Sequence, residues 1–417
     1  MRITIKPGKL NGRVTAPPSK SYAHRMLISA AFTDGQSEIS GISSSEDMLA
    51  TLDCLTALGA ECEKTDSRVK VKGIKAGHPD GREIRTAAHL PKFPCRESGS
   101  TLRFMIPVAL AVCGGGCFTG APRLIERGIG IYEDLFSDRG ISVDKTNNSI
   151  SVRGKLSAGE YKIRGDVSSQ FITGMLFALS LLNEESRIEV LPPVESRAYI
   201  DITIDVLKTF GVQVTEEKEN LFTIRGGQNY QAGSYRVEGD WSNAAFLYAF
   251  NAVGNELEID GLNEHSIQGD RVCVSCFDQL TGKSAATAEE LSIDLSNTPD
   301  LGPVLFAAAA ALRGGYFTGT RRLRIKESDR AQAMAEELQK FGVKCLVGEN
   351  EVVVLQSLLR KPEVPLNGHN DHRIVMALSV LASVTGGMIE GAEAVRKSWP
   401  EFFEVMKAAG LDAEEQS

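Results

Sequence analysis

Several things are missing from this 417-residue sequence, and each absence closes off a class of protein. There is no net positive charge: 46 Lys and Arg face 54 Asp and Glu, a formal balance of −8. That argues against a nucleic-acid binder, which needs a basic face. It does not exclude a local cationic pocket for a small anion, because pocket charge and total charge are separate quantities. There is no long apolar run; the longest, 301–312, is shorter than the about 20 residues that span a bilayer. No leader is expected, since residues 1–6 alternate in the manner of a strand. Nor is there a paired set of metal-binding cysteines. Of the eight Cys, only Cys273 and Cys276 have Cys-x-x-Cys spacing, without a matching second pair. They fall within an expected helix at 272–280, so neither zinc nor redox work is assigned to them. Scattered reduced thiols suit a cytosolic protein. The expectation is a cytoplasmic protein with no nucleic-acid or membrane partner.

The most evident feature that is present is a repeat. Amphipathic helices end again and again in a glycine followed by an alternating segment, at Gly59, Gly140, Gly211, Gly282, Gly342 and Gly410. Glycine suits the left-handed position that closes a helix. Successive members lie 60 to 81 residues apart, so about six copies of one small α/β unit are expected. Gly115-Gly116-Cys117-Phe118-Thr119-Gly120 also matches Gly314-Gly315-Tyr316-Phe317-Thr318-Gly319, and an Arg-Leu pair follows each. Apolar segments at 171–182, 243–253, 301–312 and 374–384 read as buried helices. Six units divide into two domains of three, with the join near Val237-Glu238-Gly239-Asp240. Residues 412–417 read as a polar tail.

Polar and charged triplets precede helix after helix. Lys20, Ser21 and Arg25 occupy the first turns of a helix after Pro17-Pro18, where unpaired backbone N–H groups favour anions. Glu97-Ser98-Gly99-Ser100-Thr101-Leu102-Arg103 opens another, with small residues that let a ligand approach the backbone. Arg123 to Gly128, Ser168-Ser169-Gln170, Ser196-Arg197, Ser296 to Asp300, Asn370-Asp371-His372-Arg373 and Arg396-Lys397-Ser398-Trp399-Pro400 continue the series. The densest is Arg324-Ile325-Lys326-Glu327-Ser328-Asp329-Arg330. Alone, each reads as a capped or charged helix entrance, and Asp300 as a cap. If they converge, they form a cationic cleft between the domains, with Asp300 and Glu327 as acid/base candidates. Such a cleft suits small phosphorylated and carboxylated substrates.

Taken in order, these motifs resemble the 5-enolpyruvylshikimate-3-phosphate synthase family over nearly the whole chain. The resemblance implies an α/β (α+β) fold of two domains, each of three βαβαββ units around buried helices. Residues 1–18 plus 239–417 would form one domain and 19–238 the other, with the active site in the cleft between them. It implies transfer of an enolpyruvyl group from phosphoenolpyruvate to the 5-hydroxyl of shikimate 3-phosphate in aromatic amino-acid biosynthesis, by a monomer without metal or organic cofactor. Lys20, Ser21, Arg25, Ser168, Ser169, Gln170, Ser196, Asp300 and Lys326 would hold shikimate 3-phosphate. Lys20, Gly99, Arg127, Gln170, Arg330, Arg373 and Lys397 would surround phosphoenolpyruvate. Asp300, Glu327 and Lys20 would handle protons, and substrate would draw the domains together.

The chain departs from the family pattern at Glu97 and Ser100, where Asn and Thr are frequent, at Gly128, where Pro is usual, and at Arg322, where some members have Asn. The alternatives are the sister transferase acting on UDP-N-acetylglucosamine and a non-catalytic anion-binding scaffold. The first expects Asn after Lys20, where Ser21 stands, and a loop cysteine, whereas the repeat puts Cys117 at a strand entrance. The second has no need of Asp300 and Glu327 among the cations.

Overall fold

The computed structural model describes residues 1–74, 90–282 and 292–416. The chain forms two compact units, Met1–Ser19 with Glu238–Ser417, and Lys20–Val237. Ser19 and Glu238, expected in the second domain, belong to the first unit. The Ser19 N–H donates to Glu238 O at 2.8 Å, and Ser19 Oγ to Gln268 Oε1 at 3.1 Å.

Among the described residues each unit carries three sheets, and one strand order recurs. In the second unit Lys92–Arg96 runs parallel to Gly115–Gly120; that strand pairs antiparallel with Ser149–Arg153, which in turn pairs antiparallel with Ser142–Lys145. The same order links Glu160–Arg164, Ser186–Leu191, Leu221–Ile224 and Val214–Lys218. In the first unit it links Ser292–Asp294, Gly315–Thr318, Glu351–Val354 and Cys345–Val347. Two sheets are completed from a distance: Ser234–Arg236 joins Gln36–Ser40, and Arg2–Ile5 joins Gly387–Glu390. The sixth sheet has two strands among the described residues, Asn11–Thr15 and Glu256–Asp260. All six repeat glycines have positive φ, between 68° and 115°, as the helix-closing position requires.

One expectation fails at the end of the chain. Ala413–Gln416 is a strand paired with Arg2–Ile5 rather than a polar tail; Ser417 lies outside the described residues. Its side chains beyond Ala413 are exposed, so backbone pairing, which leaves no hydrophobic alternation, holds it in place.

The sheets surround buried helices. In the second unit these are Lys20–Ala30, Gly99–Cys113 and Ser169–Leu179; in the first, Trp241–Ala252, Gly302–Ala311 and His372–Thr385. Most of their residues are buried, whereas the outer helices Arg197–Thr209 and Arg330–Lys340 bury one face. Helix Gly99–Cys113 contains Pro107, which has no N–H for the carbonyl four residues earlier. That carbonyl belongs to Arg103, and the buried Tyr132 hydroxyl donates to it at 2.7 Å. The hydroxyl reaches it because Gly174 on the facing helix has no side chain: a Cβ there would lie 2.3 Å from Tyr132 Oη. Pro107, Gly174 and Tyr132 thus satisfy the backbone at Arg103, in the second turn of the helix that begins at Gly99. Among the described residues no helix is long and apolar enough to cross a membrane.

Candidate active site

In the second unit the three buried helices begin at the residues singled out in the sequence. Lys20 Nζ lies 2.9 Å from Asp47 Oδ2, in a half-buried ion pair. Arg25 is 3% exposed, and each nitrogen of its guanidinium has a protein acceptor. Its Nε donates to Thr203 Oγ1 at 2.8 Å, Nη1 to Ser21 O at 2.8 Å, and Nη2 to Thr173 Oγ1 at 3.2 Å and Tyr199 O at 3.0 Å. These acceptors are hydroxyls and carbonyls, not carboxylates. Burial therefore dominates and lowers the Arg25 pKa to about 10. The result is a fixed buried cation whose field attracts an anion.

Ser168 caps the third helix: its Oγ accepts from Gln170 N at 3.3 Å. The Gln170 side chain bridges two neighbours, accepting from Arg103 Nη1 at 2.6 Å and donating from Nε2 to Ser100 Oγ at 2.9 Å. Gly99 begins its helix beneath two guanidiniums. A Cβ there would lie 3.1 Å from Arg127 Nη1 and Nη2, and 3.2 Å from Arg103 Nη1. Gly128, where proline was usual, has φ +70°, which proline cannot adopt, and its carbonyl faces Arg103 Nη2 at 3.4 Å. Ser169 is buried at its helix start. Ser196 is buried with φ +57° at the entrance to Arg197–Thr209. Arg197 beside it is taken up by Asp201 and Glu216.

In the first unit the charged groups gather around Arg330, which is 1% exposed. Nε donates to Asp371 Oδ2 at 2.8 Å, Nη1 to Asp300 Oδ1 at 2.7 Å, and Nη2 to Glu327 Oε2 at 2.7 Å. Burial opposes the charge, but Asp371, Glu327 and Asp300 outweigh it and raise the Arg330 pKa above its ordinary value. Asp300, in the short turn Pro299–Leu301, is not the cap of its helix. Its carboxylate also meets Lys326 Nζ at 3.1 Å and Arg373 Nη2 at 3.3 Å. Lys326 has its pKa lowered to about 8, by burial first; Asp300 opposes this, while Arg330 and Arg322 add to it. Arg322 is buried with Nη1 3.4 Å from Ser296 O, and thus acts electrostatically on Lys326. Asp329 caps Arg330–Lys340, and Asp371 caps His372–Thr385. Lys397 Nζ donates to Asn370 O at 2.6 Å.

The structure therefore brings Asp300, Lys326, Glu327, Arg330 and Arg373 into one cluster, and Gly99, Arg127 and Gln170 into another. Sequence reasoning missed Asp47, Thr173 and Thr203, and gave Asp371 no role. Thr173 lies one turn after Ser169 on the same helix, a spacing that offered a signal. Asp47 and Thr203 offered none, since they lie on other helices, Glu46–Leu58 and Arg197–Thr209, apart along the chain from their partners.

A family model described as EPSP synthase (3-phosphoshikimate 1-carboxyvinyltransferase) matches residues 5–406. A 3-phosphoshikimate 1-carboxyvinyltransferase of Clostridium kluyveri is 38% identical over 439 residues, covering 100% of this chain and 99% of that protein. One from Clostridium botulinum strain Eklund 17B is 37% identical, covering 97% and 96%. Among solved structures, EPSP synthase from Acinetobacter baumannii superimposes with a TM-score of 0.78 at 22% identity, covering 100% of both chains. The enolpyruvyl transferase NikO from Streptomyces tendae gives 0.72 at 14% identity, covering 100% of this chain and 98% of that one. These two show the shared fold; with the family match and the curated relatives, the chain belongs to the EPSP synthase (3-phosphoshikimate 1-carboxyvinyltransferase) family.

Proposed function

We propose that this protein transfers the enolpyruvyl group of phosphoenolpyruvate to the 5-hydroxyl of shikimate 3-phosphate and releases phosphate. The observation that carries the reading is the cluster of Asp300, Glu327 and Asp371 on one buried arginine, with Lys326 and Arg373 on Asp300. It puts two candidate proton carriers beside cations that suit phosphate and carboxylate groups. In the addition step the 5-oxygen bonds to C2 of phosphoenolpyruvate. Asp300 takes the hydroxyl proton and Glu327 delivers a proton to the methylene carbon, with Lys20 as a further proton carrier. In the elimination step a methyl proton returns to Glu327, the C2–O bond to phosphate breaks, phosphate departs, and the enol ether forms.

Lys20, Ser21, Arg25, Ser168, Ser169, Gln170, Ser196, Asp300 and Lys326 bind shikimate 3-phosphate in this reading. Lys20, Gly99, Arg127, Gln170, Arg330, Arg373 and Lys397 bind phosphoenolpyruvate. The fixed cation of Arg25, with no carboxylate among its acceptors, supports an anion site in the second unit. Since the proposed ligands come from both units, substrate draws the units together; small-angle scattering checks this by compaction on adding shikimate 3-phosphate. The eight unbridged cysteines support a reducing cytoplasm, and sizing in solution tests the expected monomer. The deciding assay is phosphate release from phosphoenolpyruvate with shikimate 3-phosphate or UDP-N-acetylglucosamine as acceptor. Turnover with shikimate 3-phosphate alone is expected; turnover with the UDP-sugar alone refutes the reading.

A further inference from the structure

Glu337 lies two turns beyond Arg330 on the same helix and is 1% exposed. A buried carboxylate costs several kcal/mol unless it is paired and hydrogen-bonded, and this one is fully engaged. Oε1 meets Lys340 Nζ at 2.9 Å and His369 Nε2 at 3.0 Å; Oε2 meets Lys340 Nζ at 2.9 Å and Asn367 N at 2.8 Å. Lys340 Nζ also reaches Pro365 O at 3.1 Å. One carboxylate and its lysine thus tie the outer helix to the segment 365–369.

The end of that segment leaves the usual backbone regions. His369 and Asn370 both have positive φ, 49° and 51°, a conformation uncommon outside glycine, although Asn and His enter it more readily than other residues. It is also crowded, since a Cβ at Gly368 would lie 2.6 Å from Val375 Cγ2. Directly after it come three groups of the site: the Asn370 carbonyl that receives Lys397, the Asp371 carboxylate that receives Arg330, and Arg373. Two successive residues in this conformation are held there by contacts from their surroundings.

We propose that Glu337 is a positioning residue for phosphoenolpyruvate binding: through Asn367 and His369 it holds the 365–370 segment so that the Asn370 carbonyl orients Lys397. The proposal rests on the reading that Lys397 contacts phosphoenolpyruvate. Glu337 touches no substrate. It acts through the loop, so its loss weakens binding of one substrate rather than the chemical step.

The test is a double-mutant cycle between Glu337→Gln and Lys397→Met, read as steady-state KM for each substrate and kcat. Glu337→Gln is expected to raise KM for phosphoenolpyruvate about tenfold, a loss of about 1.4 kcal/mol. The KM for shikimate 3-phosphate and kcat should stay within about twofold. In the Lys397→Met background the same change should add nothing to the KM for phosphoenolpyruvate. Equal factors with and without Lys397, equal rises in both KM values, or a drop in Tm with unchanged kinetics overturns the anchor role. If Lys397→Met alone leaves the phosphoenolpyruvate KM unchanged, the role of Lys397 falls first, and the anchor's purpose with it. Should Glu337→Gln fail to fold, His369→Asn takes its place in the cycle, with the same expected and refuting outcomes. Asn tolerates the left-handed backbone but is too short to reach Glu337.

Discussion

Replacing Arg330 with methionine should be the most damaging single change in the first unit. The guanidinium donates three hydrogen bonds of 2.7–2.8 Å to three different carboxylates. Methionine restores much of the volume but leaves Asp300, Glu327 and Asp371 facing one another, with Lys326 and Arg373 as the nearby cations. Removing one partner of a buried ionic cluster typically costs ~3–5 kcal/mol. For a unit of about 200 residues, each kcal/mol shifts Tm by about 2–4 °C, so a fall of roughly 6–20 °C is expected at pH 8. Arg330→Lys should be intermediate, because one ammonium keeps the charge but cannot span three carboxylates. Thermal unfolding of the three proteins at pH 8 measures this. Equal deficits in the methionine and lysine variants would mean that the charge of Arg330 does not matter, and would refute the electrostatic account.

Other outcomes can be checked on the same preparations. With its pKa lowered to about 8, Lys326 loses its ammonium above that pH, so wild-type affinity for shikimate 3-phosphate should fall toward tenfold per pH unit, and Lys326→Arg should remove that dependence. For stability the sign is opposite. Between about 8 and the ordinary value of 10.5 the unfolded chain binds more protons, so this group's contribution to stability rises with pH. Gly99→Ala puts a methyl 3.1 Å from the Arg127 guanidinium; titration should show phosphoenolpyruvate affinity reduced about tenfold and shikimate 3-phosphate affinity nearly unchanged. Glu327→Gln should bind both substrates yet turn over at least ~10²-fold more slowly, with slower deuterium incorporation into the methylene carbon of phosphoenolpyruvate. Exchange at the wild-type rate would move the proton-donor role to Lys20. Asp300→Asn should also slow turnover and, unlike Glu327→Gln, weaken shikimate 3-phosphate binding.

The sequence by itself determined the repeat, the buried helices and the starting points of the site. Each is a local signal: a glycine where a helix must close, an apolar stretch long enough for a buried helix, a capping residue before it. Asp329 and Ser168 were placed at helix starts by the same local logic, and both cap their helices. What it could not determine is which distant group meets which. Asp371 joins Arg330 across 41 residues, Thr203 joins Arg25 across 178, and Asp47 joins Lys20 across 27; no periodicity encodes these distances. The strand Ala413–Gln416 escaped notice because it is held by backbone hydrogen bonds to Arg2–Ile5, which leave no trace in side-chain pattern. Asp300 could be read locally as a cap. Only the folded chain, by surrounding its carboxylate with Lys326, Arg330 and Arg373, made it part of an ionic cluster, because pairing of that kind depends on distance in space and not along the chain.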